Sequence, residues 1–185
     1  MYAARKFCVQ NWDFTPNEKR FAVKVTCGGQ PLKSLDSKRI SVIEEAVMYW
    51  RKANHIHAWF VDNVQDGNDD CGTYIVSQDK LRDLLLVCQK VLEASKLVDG
   101  TVHAGTQWSS GDSEPVELRE AGRVIEDPTV AKELLPTRCG FFFGNEEYDE
   151  DYLDDVKATH DWATEMLSDL EAESVPGRIY YSSSW

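Results

Sequence analysis

The 185 residues carry 20 Lys+Arg against 32 Asp+Glu, a formal charge of −12, and 42% of them are hydrophobic. A chain of this length and apolar content can bury a core, and its negative field repels nucleic-acid backbones and anionic membranes, which argues against direct binding to either. No stretch reaches the ~18 apolar residues of a membrane span, Met1–Lys6 lacks the apolar run of a secretory signal, and the five cysteines form no CxxC pair, so reduced thiols and a cytoplasmic location are expected.

In chain order, Lys6–Asn11 and Phe21–Thr26 alternate in polarity and read as two short strands of a hairpin, with breaks at Pro16-Asn17 and Gly28-Gly29. Ser41-Val42-Ile43-Glu44 has the form of a capping box. From there apolar residues recur every three or four positions to Val64, which predicts a long helix over 41–64 ended by Gln65-Asp66-Gly67. Its stripe is Ile43, Val47, Trp50, Asn54, His57, Val61 and Val64, while Tyr49, Ile56, Trp59 and Phe60 lie off it, the pattern of a central helix.

Tyr74–Val76 reads as a short strand, and Ser77 as the N-cap of a helix with Leu81, Leu84, Leu85, Cys88, Val91 and Leu92 on one face. Asp99–Glu117, rich in Gly, Ser and Thr, reads as a loop or exposed hairpin, flanked by ribbons Leu97–His103 and Leu118–Ile125 with a turn at Ala121-Gly122. Pro128 suits the first turn of a short helix ending before Pro136. Phe141–Phe143 reads as a buried strand, and Asp149–Glu171 as a second long helix whose inward stripe is Tyr152/Leu153, Val156, His160, Ala163, Leu167 and Leu170. Arg178–Tyr181 is the last strand. The expected architecture is therefore α+β: a single domain over 1–185, with two long helices and one shorter helix packed with a small, mostly antiparallel sheet, and an exposed insertion at about 97–125.

The motifs that would announce chemistry fail on geometry or composition. His55 and His57 resemble a metal pair, but residues two apart on a helix point in nearly opposite directions. Asp62–Thr73 has some of the oxygen donors of a calcium loop but places Val64 and Thr73 where Asp/Asn and a bidentate Glu are required. No phosphate-cradling GxxxxGK[ST] or GxGxxG and no GxSxG elbow occurs, and Cys139 has no base tied to it. No catalytic residue, metal or cofactor is expected, which favours binding over turnover.

Two clusters remain. In an acidic chain, Tyr49–Val61 concentrates cations, imidazoles and indoles suited to an anionic aromatic ligand. Arg51 and Lys52 would take phosphate, Trp50 or Trp59 would stack on a base, and Asn54 and His57 would bond its edge, with His160 of the second long helix facing His57. The competing reading is an interior helix whose cations pair with carboxylates of the second helix. The other cluster is Glu146, Glu147, Asp149, Glu150, Asp151, Asp154 and Asp155. It complements a helix N-terminus, or forms an acidic ridge that docks on a basic protein surface.

Trp50-Arg51-Lys52-Ala53-Asn54-His55-Ile56-His57 with Trp59-Phe60-Val61, then Leu134-Leu135-Pro136-Thr137, Gly140-Phe141-Phe142-Phe143-Gly144 and Tyr148-Asp149-Glu150, and finally Tyr180-Tyr181 and Ser183-Ser184-Trp185, run in an order that resembles a family of small phage and prophage proteins. The resemblance spans about Tyr49 to the end and is weaker over Met1–Arg39 and around Trp108. It implies phage origin and action in the bacterial host cytoplasm, and carries no catalytic residues. In that setting the expected function is an accessory protein that binds, without turning over, a small nucleotide-derived anion, as a protein sequestering a host defence signal would. The alternatives are an acidic inhibitor blocking a basic surface of a host protein, and a nucleotide-processing enzyme using His57 and His160.

Overall fold

Tyr2–Cys8 (β1) lies inside a four-stranded antiparallel sheet of order β4-β1-β8-β5, where β4 is Val42–Tyr49, β5 is Thr73–Val76 and β8 is Arg178–Ser182. The computed structural model describes residues 1–12, 14–107, 116–139, 145–172 and 177–184. Alternation along the strands sets the two faces: Ala3 opposes Tyr181, Arg5 opposes Ile179 and Val76 opposes Ile179, and these five side chains are buried.

The helix expected over 41–64 is the main departure. Val42–Tyr49 is a strand, and helix α1 covers only Asn54–Asn63. The capping-box pattern at Ser41–Glu44 is outweighed by cross-strand pairing, because Glu44 and Glu45 stand opposite Lys6 and Arg5 and form ion pairs of 2.9 Å and 2.7 Å with them. Between strand and helix, Lys52 adopts a left-handed φ of 64°, which a continuous right-handed helix does not allow. The Phe21–Thr26 strand is likewise not realised as expected. Residues 21–25 belong to no strand: the Asn11 side chain bonds both backbone groups of Phe21 (2.9 and 2.7 Å), Val25 C=O accepts from Leu32 N–H, and only Thr26–Cys27 (β2) forms a strand pair, with Gln30–Pro31 (β3). β1 pairs with β4 and not with that segment.

Helix α2 (Gln78–Ala94) starts where its sequence says, with the Ser77 hydroxyl accepting from Lys80 N–H, and buries Leu81, Leu84, Cys88 and Val91. Helix α4 (Glu150–Ala172) packs beside α2 and buries Tyr152, Val156, Thr159, Trp162, Ala163, Met166, Leu167 and Leu170. His160 is not on that face: it is half-buried and its Nδ1 lies 3.0 Å from the Asp161 carboxylate. A short helix α3 (Thr129–Leu134) follows Pro128. The fold is α+β with antiparallel sheets, its core lying between the main sheet and the α2–α4 layer.

The segment read as loop and ribbon is one long antiparallel ribbon, Leu97–Gln107 (β6) against Val116–Ile125 (β7). Gly122 is not at a turn. It pairs with Gly100 in mid-ribbon, where a Cβ on Gly122 would meet Val102 at 2.6 Å and one on Gly100 would meet Val124 at 2.7 Å. The ribbon is tied to the start of α4 by Arg123–Glu150 (3.2 Å), Arg119–Glu147 (2.7 Å) and the backbone bond Ile125 N–H to Tyr148 C=O. The expected Phe141–Phe143 strand lies outside the described residues.

Candidate functional site

Most of the polar residues expected to meet a ligand are used inside the core. Trp50 is 1% exposed, its indole N–H donates to Thr159 Oγ1 at 2.8 Å, and its ring meets Phe60, Trp162 and Tyr181. Trp59 is buried edge-on to Phe60. Asn54 accepts from the Arg138 backbone N–H (2.9 Å) and donates to the Asn145 carbonyl (3.0 Å), clamping two loop segments together. His57 sits in a chain from Tyr181 (Nδ1 to the phenol, 2.7 Å) to Asp69 (Nε2 to the carboxylate, 3.2 Å), and burial pushes the Tyr181 phenol up. His57 therefore joins the loop after α1 to strand β8, while His160 pairs at the surface with Asp161; no contact between the two appears among the described residues. The juxtaposition of those two histidines, expected from their stripes, is absent because the α4 face toward the core carries Thr159 and Ala163 instead.

Arg51 and Lys52 behave differently. Both are exposed in the turn between β4 and α1, and neither side chain has a hydrogen bond or ion pair among the described residues. They line a cleft of about 200 Å³ together with His55, Thr137, Asn145, Glu147, Asp149, Asp151, Tyr152 and Asp155. The cleft thus joins the two clusters that the sequence kept apart: cations before α1, and part of the acidic run at the start of α4.

Several of those carboxylates are structurally engaged. Asp149 caps α4 by accepting from Tyr152 N–H at 2.9 Å, and Asn145 Nδ2 donates to its other oxygen at 3.3 Å. Glu147 pairs with Arg119 and accepts from His103 N–H, and Glu150 pairs with Arg123. Glu146 faces a neighbouring hollow of about 290 Å³ lined also by His103, Glu117, Asn145 and Glu147, and Asp154 is exposed. Asp151 and Asp155 have no ion pair among the described residues. Burial, reinforced by the charges of Asp151, Asp154 and Asp149, pushes the Asp155 carboxyl up to about 7.

The residue that sequence reasoning passed over is His55. It is 3% exposed, its ring lies 4.2 Å from that of Tyr152, and that ring makes no hydrogen bond among the described residues, with Nε2 fully enclosed. Burial pushes its pKa down to about 3, so the imidazole is neutral. A buried polar group without a partner costs about 1–3 kcal/mol. Gln65 Oε1 and Trp162 Nε1 are also unpartnered, but neither residue lines this cleft. The signal in the sequence is weak: His55 follows Arg51 by four residues and belongs to the His55/His57 pair that fails as a metal site, and the structure sends the two rings to Tyr152 and Tyr181.

Other candidates resolve into structural contacts. Asp62 pairs with Arg138, and Asp70 accepts from Gly72 N–H and the Tyr74 hydroxyl, so the calcium-like segment is an internally bonded loop. No group of three metal-ligating side chains occurs among the described residues. Glu146 beside Cys139 pushes that thiol up, away from the thiolate a nucleophile needs. No helix among the described residues is long and apolar enough to cross a membrane. Compared with protein-family models, with curated proteins and with solved structures, the chain matches none.

Proposed function

We propose that this chain binds, without turning over, a small nucleotide-type ligand in the cleft between the β4–α1 turn and the start of α4, with phosphate against Arg51 and Lys52 at the mouth and the base toward His55 and Asp155. The observation that carries this reading is the enclosed, unpartnered imidazole of His55 in a cleft whose two cations also lack partners. The buried imidazole is costly to leave without a partner, while the two exposed, solvated cations at the mouth offer charge-assisted bonds to an anionic end.

Two features support it. The cleft's 200 Å³ is below the roughly 300–1,000 Å³ of sites for drug-sized molecules, a fit for one base with its phosphate left at the rim. Lys52 also holds a left-handed backbone position where glycine is the unstrained choice. A cation kept there at a conformational cost is consistent with use of its charge. In this reading sequestration of the ligand is the function, and Trp50, Asn54 and His57 shape the cleft walls from behind without touching what it holds.

Calorimetric titration with nucleoside monophosphates tests the proposal. Binding of at least one is expected, weakened about 10- to 100-fold by Arg51→Ala, the loss of a charge-assisted bond worth about 1.5–3 kcal/mol. No heat with any nucleotide, or an Arg51→Ala variant that binds like the parent, overturns it.

A further inference from the structure

We propose that the base this cleft selects is guanine, an inference that rests on the nucleotide reading and names its ligand class. The donors on the cleft walls are largely spent. Tyr152 Oη donates to the Leu135 carbonyl at 2.9 Å, and Thr137 Oγ1 donates to the Glu146 carbonyl at 3.0 Å. The backbone N–H groups of Thr137, Glu147 and Tyr152 bond Tyr148 Oη, Asn145 Oδ1 and Asp149 Oδ1. Asn145 Nδ2 gives one of its two N–H groups to Asp149.

The acceptors are not spent. Asp151 and Asp155 have no ion pair among the described residues, and the neutral His55 ring keeps one lone-pair nitrogen beside its one N–H. Away from the phosphate-binding cations, the walls therefore present a surplus of acceptors, with one amide N–H of Asn145 and the ring N–H of His55 as the donors still to give. The complementary edge has two adjacent donors and one acceptor. Guanine has that edge, with N1–H and the exocyclic amino group beside O6. Adenine and cytosine offer an amino donor next to an acceptor, and uracil a single N–H between two carbonyls, so each of these sets a carbonyl or ring lone pair against a carboxylate.

Asp155 is the group placed to take the N–H pair, because a carboxylate accepts two parallel hydrogen bonds. Burial first, then the charges of Asp151, Asp154 and Asp149, hold the proton on Asp155; facing it across the cleft are Arg51 and Lys52 from the β4–α1 turn, neutral His55 from α1, and Glu147, which pairs with Arg119. The ionised form is the acceptor, so guanine binding strengthens as pH rises through the range in which Asp155 loses its proton.

The experiment is calorimetry at pH 7.5 with GMP, IMP, AMP and UMP, on the parent and on Asp155→Asn, each first shown to melt cooperatively. GMP is expected to bind at least about tenfold more tightly than IMP, which keeps N1–H but lacks the amino group, and than AMP or UMP. In Asp155→Asn the preference collapses to within about threefold, while binding that requires the phosphate, read as GMP over guanosine, persists. AMP or UMP binding as tightly as GMP, or a preference unchanged in Asp155→Asn, overturns the guanine assignment and leaves the nucleotide reading standing. Silence with all four nucleotides overturns both.

Discussion

Trp50→Ala is expected to destabilise the fold by about 3–5 kcal/mol, a large share of a domain's total stability. The indole is the largest fully buried side chain among the described residues and sits where β4 turns into α1. It touches Phe60 from α1, Trp162 from α4 and Tyr181 from β8, so its removal opens a cavity shared by three elements. It also removes the N–H that Thr159 Oγ1 accepts, although that hydroxyl keeps its own bond to the Asp155 carbonyl at 2.7 Å. Urea unfolding followed by fluorescence and circular dichroism measures the loss. A cost below about 1 kcal/mol, the level of a surface substitution, contradicts a central position for this ring.

Opposite pH slopes are expected from His55 and Asp155. Burial holds the His55 pKa at about 3 in the fold against the ordinary 6.5, so on acidification the unfolded chain binds its proton first. Its stabilising contribution is complete above pH 6.5 and is lost as pH falls toward 3, by at most about 1.4 kcal/mol per pH unit. Asp155 has the reverse sign. With a folded pKa of about 7 against the ordinary 3.8, its contribution is complete below pH 3.8 and is lost as pH rises through 7. Between about pH 4 and 6.5 the two trends oppose each other. His55→Phe, which keeps a ring against Tyr152, leaves the Asp155 trend exposed, and the variant gains stability relative to the parent on acidification from pH 6.5 to 4.5. Asp155→Asn does the opposite over the same interval. Urea midpoints at half-unit steps check this, and a His55→Phe profile parallel to that of the parent refutes a buried neutral imidazole.

Elements governed by local rules followed from the sequence: α2 from the Ser77 cap and its apolar face, α4 from its acidic start and apolar stripe, and β5 and β8 from short apolar runs. Where long-range pairing decides, the local reading failed. Nothing between residues 41 and 49 shows that Glu44 and Glu45 will meet Lys6 and Arg5, and without that pairing the helical period and capping box look sufficient. That one error displaced the candidate site. A single helix places Trp50, Asn54 and His57 on a common stripe, whereas the strand, the left-handed turn at Lys52 and the short α1 bury all three and leave Arg51 and Lys52 outside. Arg51 and Lys52 survived as cleft residues because charge and exposure are local properties. The approach of Asp151 and Asp155 to them depends on how α4 packs, and the enclosure of His55 depends on Tyr152, ninety-seven residues further along by number and adjacent in space.

The most direct test of the cleft is the imidazole itself. Nitrogen-15 NMR of the histidine side chains resolves the rings of His55, His57, His103 and His160 during a titration with GMP. The account predicts a saturable shift of the His55 ring nitrogens, with those of His57, in its bonds to Tyr181 and Asp69, left in place. A His55 ring that stays unmoved once the nucleotide has saturated the protein contradicts it.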